Sequence, residues 1–140
     1  MRAEFDAFKA ALSTPPQLAG KVYEGTRTTD AGEPPRENYV VVKFGIPRFN
    51  DERYTAPQVY GSTRFYEVDV RFVATSHAGV MALADAALKH LLRLVLTVPG
   101  RVCEPIREDR TANDLQGVQF DKTARLFYLD TTFTFTSRSA

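Results

Sequence analysis

The stretch Arg64-Phe-Tyr-Glu-Val-Asp-Val-Arg-Phe-Val-Ala-Thr75 runs directly into Ser76-His-Ala-Gly-Val-Met-Ala-Leu-Ala-Asp-Ala-Ala-Leu-Lys-His90. Across that join the hydrophobic period switches from two to about 3.6. Tyr66, Val68, Val70, Phe72 and Ala74 share one face, while Glu67, Asp69 and Arg71 share the other, the pattern of a half-buried antiparallel strand. From His77 onward, Val80, Leu83, Ala84, Ala87, Leu88, Leu91, Leu94 and Val95 recur at three- and four-residue spacings, with Asp85, Lys89 and Arg93 opposite them. This predicts one long amphipathic helix, capped by Ser76 and stopped by Pro99-Gly100.

Working outward, Arg2 to Leu12 reads as a short helix with Phe5, Phe8 and Leu12 on its apolar stripe and Glu4, Asp6 and Lys9 facing away. Pro15-Pro16 ends it, and Lys21 to Glu24 holds a short strand around Val22 and Tyr23. A polar loop, Gly25 to Glu37, leads to a strand at Tyr39 to Phe44 that is apolar on both faces, as a central strand would be. Arg101 to Ile106 reads as a short edge strand broken by Pro105, and Glu108 to Thr123 as a second polar excursion. In the last strand, Arg125 to Ser137, Phe127, Leu129, Phe133 and Phe135 alternate with Tyr128, Asp130, Thr132, Thr134 and Thr136. The expected fold is α+β: a two-layer sandwich in which two helices cover one face of a mainly antiparallel sheet, with a long hairpin excursion.

That excursion is Gly45 to Thr63, far longer than an economical hairpin turn. It carries Arg48, Phe49, Arg53, Tyr54 and Tyr60, residue types enriched at protein interfaces, and these five form the candidate interface. Two readings stand side by side: contacts to a partner, or a private mini-core of the loop.

Composition narrows the function classes. At 140 residues the chain fits a single domain, and 44% hydrophobic with 25% charged residues is an ordinary globular balance. A formal charge of +1 argues against a protein whose main work is gripping nucleic acid. No apolar run reaches membrane-spanning length, and the first residues lack the apolar core of a signal peptide. Cys103 is the only cysteine, so no internal disulfide can form, and it reads as a small buried hydrophobe. His77 and His90 have equally structural readings. There is no Gly-rich phosphate loop, no metal-ligand spacing and no nucleophile elbow. Nothing argues for an enzyme or a cofactor.

The chain resembles the tail terminator proteins of long, non-contractile-tailed, lambda-like bacteriophages. The resemblance rests on the Arg2 to Leu12 helix, Lys21-Val-Tyr-Glu-Gly25, Tyr39 to Gly45, the long excursion, Arg64 to Ser76 with the helix after it, and the terminal strand ending Phe-Thr-Phe-Thr-Ser-Arg138. It implies a non-enzymatic virion protein, assembled in the host cytoplasm, that forms a ring, usually a hexamer, in the neck region. Such a ring caps the head-proximal end of the tail tube, stops its polymerisation and presents the surface that joins the head. The partners it implies are other copies of the chain, the major tail tube protein and head-completion or connector proteins, with DNA passing through the pore without specific binding. The family carries over no single functional residue; Arg48, Phe49, Arg53, Tyr54 and Tyr60 are the candidates for subunit or tube contacts because of their residue types and their place in the excursion, against the reading of a solvated loop. The segment Glu108 to Arg125 has no counterpart role to carry over. Another neck or head-completion (stopper) protein is the alternative. A small enzyme would need Cys103 brought to a histidine, and a ligand-binding module would need a deep apolar pocket.

Overall fold

A computed structural model of the chain describes residues 2–26, 32–49, 63–109 and 117–139. Its elements are α1 (Arg2–Leu12), β1 (Val22–Glu24), β2 (Tyr39–Phe44), β3 (Arg48–Phe49) and β4 (Thr63–Ala74), then α2 (His77–Leu91), β5 (Arg101–Cys103), β6 (Arg107–Glu108), β7 (Gln119–Asp121) and β8 (Leu126–Ser139). The architecture is α+β, with one sheet ordered β1-β2-β4-β8-β5; β3 pairs with β4, while β6 and β7 add to β8.

The sheet is mixed. β1 lies parallel to β2, and the remaining pairings are antiparallel. A parallel neighbour requires a crossover connection, and the stretch read as a polar loop between Tyr23 and Tyr39 is long enough to be one. β4 and β8 form the spine, from Thr63 opposite Arg138 to Ala74 opposite Phe127. Their inner faces match the period-two reading: Tyr66, Val68, Val70, Phe72 and Phe133 are almost completely buried.

Both helices send their apolar residues into one core with that face. Phe5, Phe8 and Leu12 of α1 join Val80, Leu83, Ala87 and Leu91 of α2 over Val40, Val42, Tyr66 and Phe72. Each such large side chain contributes about 1.5–3 kcal/mol on burial. The opposite face of the sheet carries a smaller cluster of Tyr39, Val41, Val73 and Leu126, which explains why β2 is apolar on both sides.

Several boundaries depart from the sequence reading. Ser76 caps α2 as expected, its hydroxyl accepting from Gly79 N–H at 3.0 Å, but the helix stops at Leu91. Leu92 is extended, and Arg93 has a left-handed φ of 68°. Arg93 N–H donates to Ile106 C=O, and Ile106 N–H donates to Leu94 C=O, both at 2.9 Å, so backbone partners outside the helix replace the next helical turn. The aliphatic run satisfies both periods, and beyond Leu91 it is read with period two: Leu96 and Val98 are buried whereas Val95 is exposed. Within Glu108 to Thr123, β6 and β7 flank residues outside the description. β7 reaches β8 through a turn in which Asp121 Oδ1 accepts from Thr123 and Ala124 N–H, and Arg125, at φ 56°, belongs to that turn rather than to the strand.

The register makes a direct test. Phe72→Ala should cost about 3–5 kcal/mol by emptying the space between β4 and the helices, whereas exposed Glu67→Ala should stay within about 0.5 kcal/mol of the parent. Urea titrations of the two variants check it; equal losses would place the wrong residues inside.

Candidate functional site

Glu4 stands four residues before Phe8 and eight before Leu12, so helix geometry turns it inward with them. It is 1% exposed, which corrects the expectation that it faces away. Its Oε1 accepts from Ser137 Oγ at 3.2 Å and from Arg64 Nη1 at 3.3 Å, and Arg101 Nε lies 3.6 Å away. Arg101 is held in turn, Nε donating to Ser137 Oγ at 2.9 Å and Nη2 to the Ser137 carbonyl at 2.7 Å. Burial pushes the Glu4 carboxyl up, but hydrogen bonds from the amino terminus, the Glu4 backbone and Ser137, with the charge of the amino terminus, outweigh that effect and lower its pKa from the ordinary value. The network therefore ties α1, β4, β5 and β8 together at one end of the sheet.

The same end roots the long excursion. Arg48 and Phe49 pair through their backbones with Phe65 and Arg64, so Arg64 lies between Phe49 on one side and Ser137 on the other. Phe44 sits beneath an aromatic cluster, edge-on to Phe5 at 4.9 Å and tilted against Tyr66 at 5.2 Å, with Tyr66 stacked on Phe135 at 5.0 Å. Outside it opens a groove of about 700 Å³ lined by Arg2, Phe5, Glu24, Phe44 and Ile46. Ile46 is 84% exposed. Arg2 lies over the Phe5 ring at 4.7 Å and bonds Glu24 at 2.9 Å. β1 accompanies β2 only to Val42; after Gly25 N–H bonds Val42 C=O at 2.9 Å, its φ of 73° turns the chain aside. Strand alternation then leaves the Phe44 backbone facing an edge with no strand beside it among the described residues.

The outer face of the sheet is a polar ladder. Arg71 grips Asp130 through two bonds of 2.7 and 2.9 Å and stacks over Tyr128 at 4.5 Å. The Tyr128 hydroxyl donates to Gln119 at 2.7 Å, and the Thr132 hydroxyl donates to Asp69 at 2.8 Å. The hydrogen bond to Asp130 raises the Arg71 pKa further. A shallow concavity of about 440 Å³ lies over these groups, among them Lys43, Asp69, Arg71 and Asp130. Arg71 and Asp130 satisfy one another, as do Thr132 and Asp69, and none of these groups is a nucleophile held by a base.

Of the five interface candidates, Arg48 and Phe49 form β3, and Arg53, Tyr54 and Tyr60 lie outside the described residues. Cys103 is buried, and burial pushes its thiol up; the other groups acting on it are Ser137, Glu4 and Arg101, with no histidine among them. Among the described residues no cluster of three or more His, Cys, Asp or Glu side chains could hold a metal. Sequence reading missed Glu4 and Ile46. The four-residue spacing from Glu4 to Phe8 was a signal for the first; for the second there was none, because Ile46 lies in a short irregular connection.

No family model matches the sequence, and neither does any curated protein. The fold does match solved structures. A chain from the virion of a native gene transfer agent particle superimposes with a TM-score of 0.69 at 14% identity, over 99% of this chain and 96% of that one. A second solved structure, of a protein whose name states no activity, reaches 0.61 at 13% identity, over 99% and 93%. At such identities the likeness is one of fold.

Two outcomes follow from the buried groups. Because the folded Glu4 pKa lies below its ordinary 4.5, its contribution is complete above that value and lost as pH falls through the folded one. Glu4→Gln should therefore cost about 2 kcal/mol at pH 7, with the gap to the parent narrowing as pH falls below 4.5, as measured by denaturant midpoints across pH. Cys103 should alkylate with iodoacetamide about tenfold slower or more than a free thiol at pH 8 and catch up on unfolding, as followed by mass spectrometry.

Proposed function

We propose that the chain is a virion structural protein of a tailed, phage-like particle, where it forms a ring on the head-proximal end of the tail tube. The ring ends tube growth and offers the head its joining surface. The observation that carries this reading is the fold likeness to a chain of the gene transfer agent virion, which spans nearly all of both chains. The resemblance of the sequence to tail terminators narrows it to that position.

The mechanism is geometric. A heterologous contact repeated about a closing rotation gives a finite ring, while a tube grows because each ring accepts another on its exposed face. A terminator must match the tube on one face and refuse a further copy on the other. In this chain the excursion carrying Arg48, Phe49, Arg53, Tyr54 and Tyr60 supplies contacts between copies or to the tube, and it springs from the end of the sheet that Glu4 holds rigid. Its partners in this reading are further copies, with the six-fold symmetry that the resemblance implies, and the major tail tube protein and head-completion proteins on either side. DNA passes through without tight binding, in keeping with a net charge of +1. A second reading, another neck or head-completion protein, is kept because the neighbouring chain is named only by its virion.

Replacing Arg48 through Tyr60 with a short Gly-Ser turn should leave a folded monomer, since β4 keeps its pairing with β2 and β8. Tail length and head attachment, scored by electron microscopy in cells complemented with this form, should match those of cells lacking the gene. Normal-length tails joined to heads would remove the excursion from the interface. Normal tails in cells lacking the gene, with heads or necks defective, would transfer the protein to the head side.

A further inference from the structure

Two opposite edges of the sheet end in complementary form. On one, Val40 N–H donates to Lys21 C=O and Gly25 N–H donates to Val42 C=O, both at 2.9 Å, so the even-numbered residues of β2 bond toward β1. β1 ends with Glu24 opposite Val42, which leaves Phe44 N–H and C=O turned to that edge with no strand beside them among the described residues. On the other edge, Glu104 N–H donates to Thr136 C=O and Asp109 N–H to Thr132 C=O, so the even-numbered residues of β8 bond toward β5, β6 and β7. β7 sets Gln119 against Tyr128 and Asp121 against Leu126, and these are therefore its bonded pairs. Phe120 N–H and C=O face outward, again with no strand beside them among the described residues.

The side chains match as the backbones do. β2 runs in the direction of β8 and β7 runs against it, so the Phe120 edge of one copy meets the Phe44 edge of another as an antiparallel pair that continues the sheet. With Phe120 opposite Phe44, both rings lie on the helix side, where Phe120, 49% exposed, enters the groove lined by Phe5, Phe44 and Ile46. One place along, on the outer face, Lys43 stands opposite Asp121, a cross-strand position that favours opposite charges. Thr123 and Ala124 N–H hold Asp121 Oδ1, which leaves Oδ2 to the lysine. We propose that copies of this chain join head to tail, β7 of one copy adding to the open end of β2 in the next. The pairing rests on the ring reading and supplies its contact between copies: the two edges differ, so the contact is heterologous and repeats. Phe44 is level with Val68 of β4 and Phe120 with Ala74, so successive copies are staggered by six residues, about 20 Å along the strands. Tilted strands need such a stagger when a sheet closes on itself.

A zero-length carbodiimide cross-linker, which condenses an amine with a carboxylate touching it, tests the pairing on the unaltered protein at its highest soluble concentration. Mass spectrometry of the digested covalent dimer should show Lys43 joined to Asp121, a link that one copy cannot make within itself because the two residues lie on opposite edges of its sheet. Phe120→Ser, a change at an exposed ring, should leave the monomer folded and lower the yield of that link about tenfold. Dimers linked only elsewhere, or no dimer at all, overturn the edge pairing, while the ring reading is still judged separately by tail length. If the Lys43–Asp121 link forms but cells lacking the gene make tails of normal length, the pairing stands and the ring belongs to the head side.

Discussion

The antiparallel pairing of β4 with β8 engages all twelve residues of β4, and every other element is positioned by it. Its inner face supplies the surface that α1 and α2 cover, and its two outer edges accept β2 on one side and β5, β6 and β7 on the other. The partners are far apart in sequence, Ala74 meeting Phe127 and Thr63 meeting Arg138. Closing such a loop must precede most of the core contacts, so folding is expected to be slow for a chain of this size. A one-residue slip would turn Phe72 and Phe133 to solvent, which is why the register is strongly specified.

Apolar packing and polar bonding are divided along this spine. Toward Ala74 and Phe127 the strands lie under the start of α2, and the outer face is closed by the Tyr39 and Leu126 cluster and the Arg71–Asp130 pair. Toward Thr63 and Arg138 the apolar cover thins. There Glu4, Arg64, Arg101 and Ser137 replace hydrophobic packing with a network whose value lies in direction: a buried ion pair adds little net stability but penalises any arrangement that separates its members. Such a network makes that end of the sheet rigid, and rigidity lowers the ordering cost of any contact made there. The exposed Ile46 and the open edge of β2 beside it belong to this same end.

Local pattern alone determined the strands Tyr39–Phe44 and Thr63–Ala74, the helix Arg2–Leu12, the start of α2 at Ser76 and the inward face of β8, because period and capping act within a few residues of each position. The tertiary structure decided the rest. Leu92 to Val98 satisfies both helical and strand periods, and only the backbone bonds between Arg93, Leu94 and Ile106 choose between them. Glu4 carries a charge that reads as solvent-facing until Arg64, Arg101 and Ser137 arrive from three distant strands to neutralise and bond it. The parallel direction of β1 likewise depends on where a long connection crosses, which no local preference encodes. Short-range physics writes secondary structure into adjacent residues, whereas burying a charge or choosing a strand's neighbour requires partners that only the folded chain brings together.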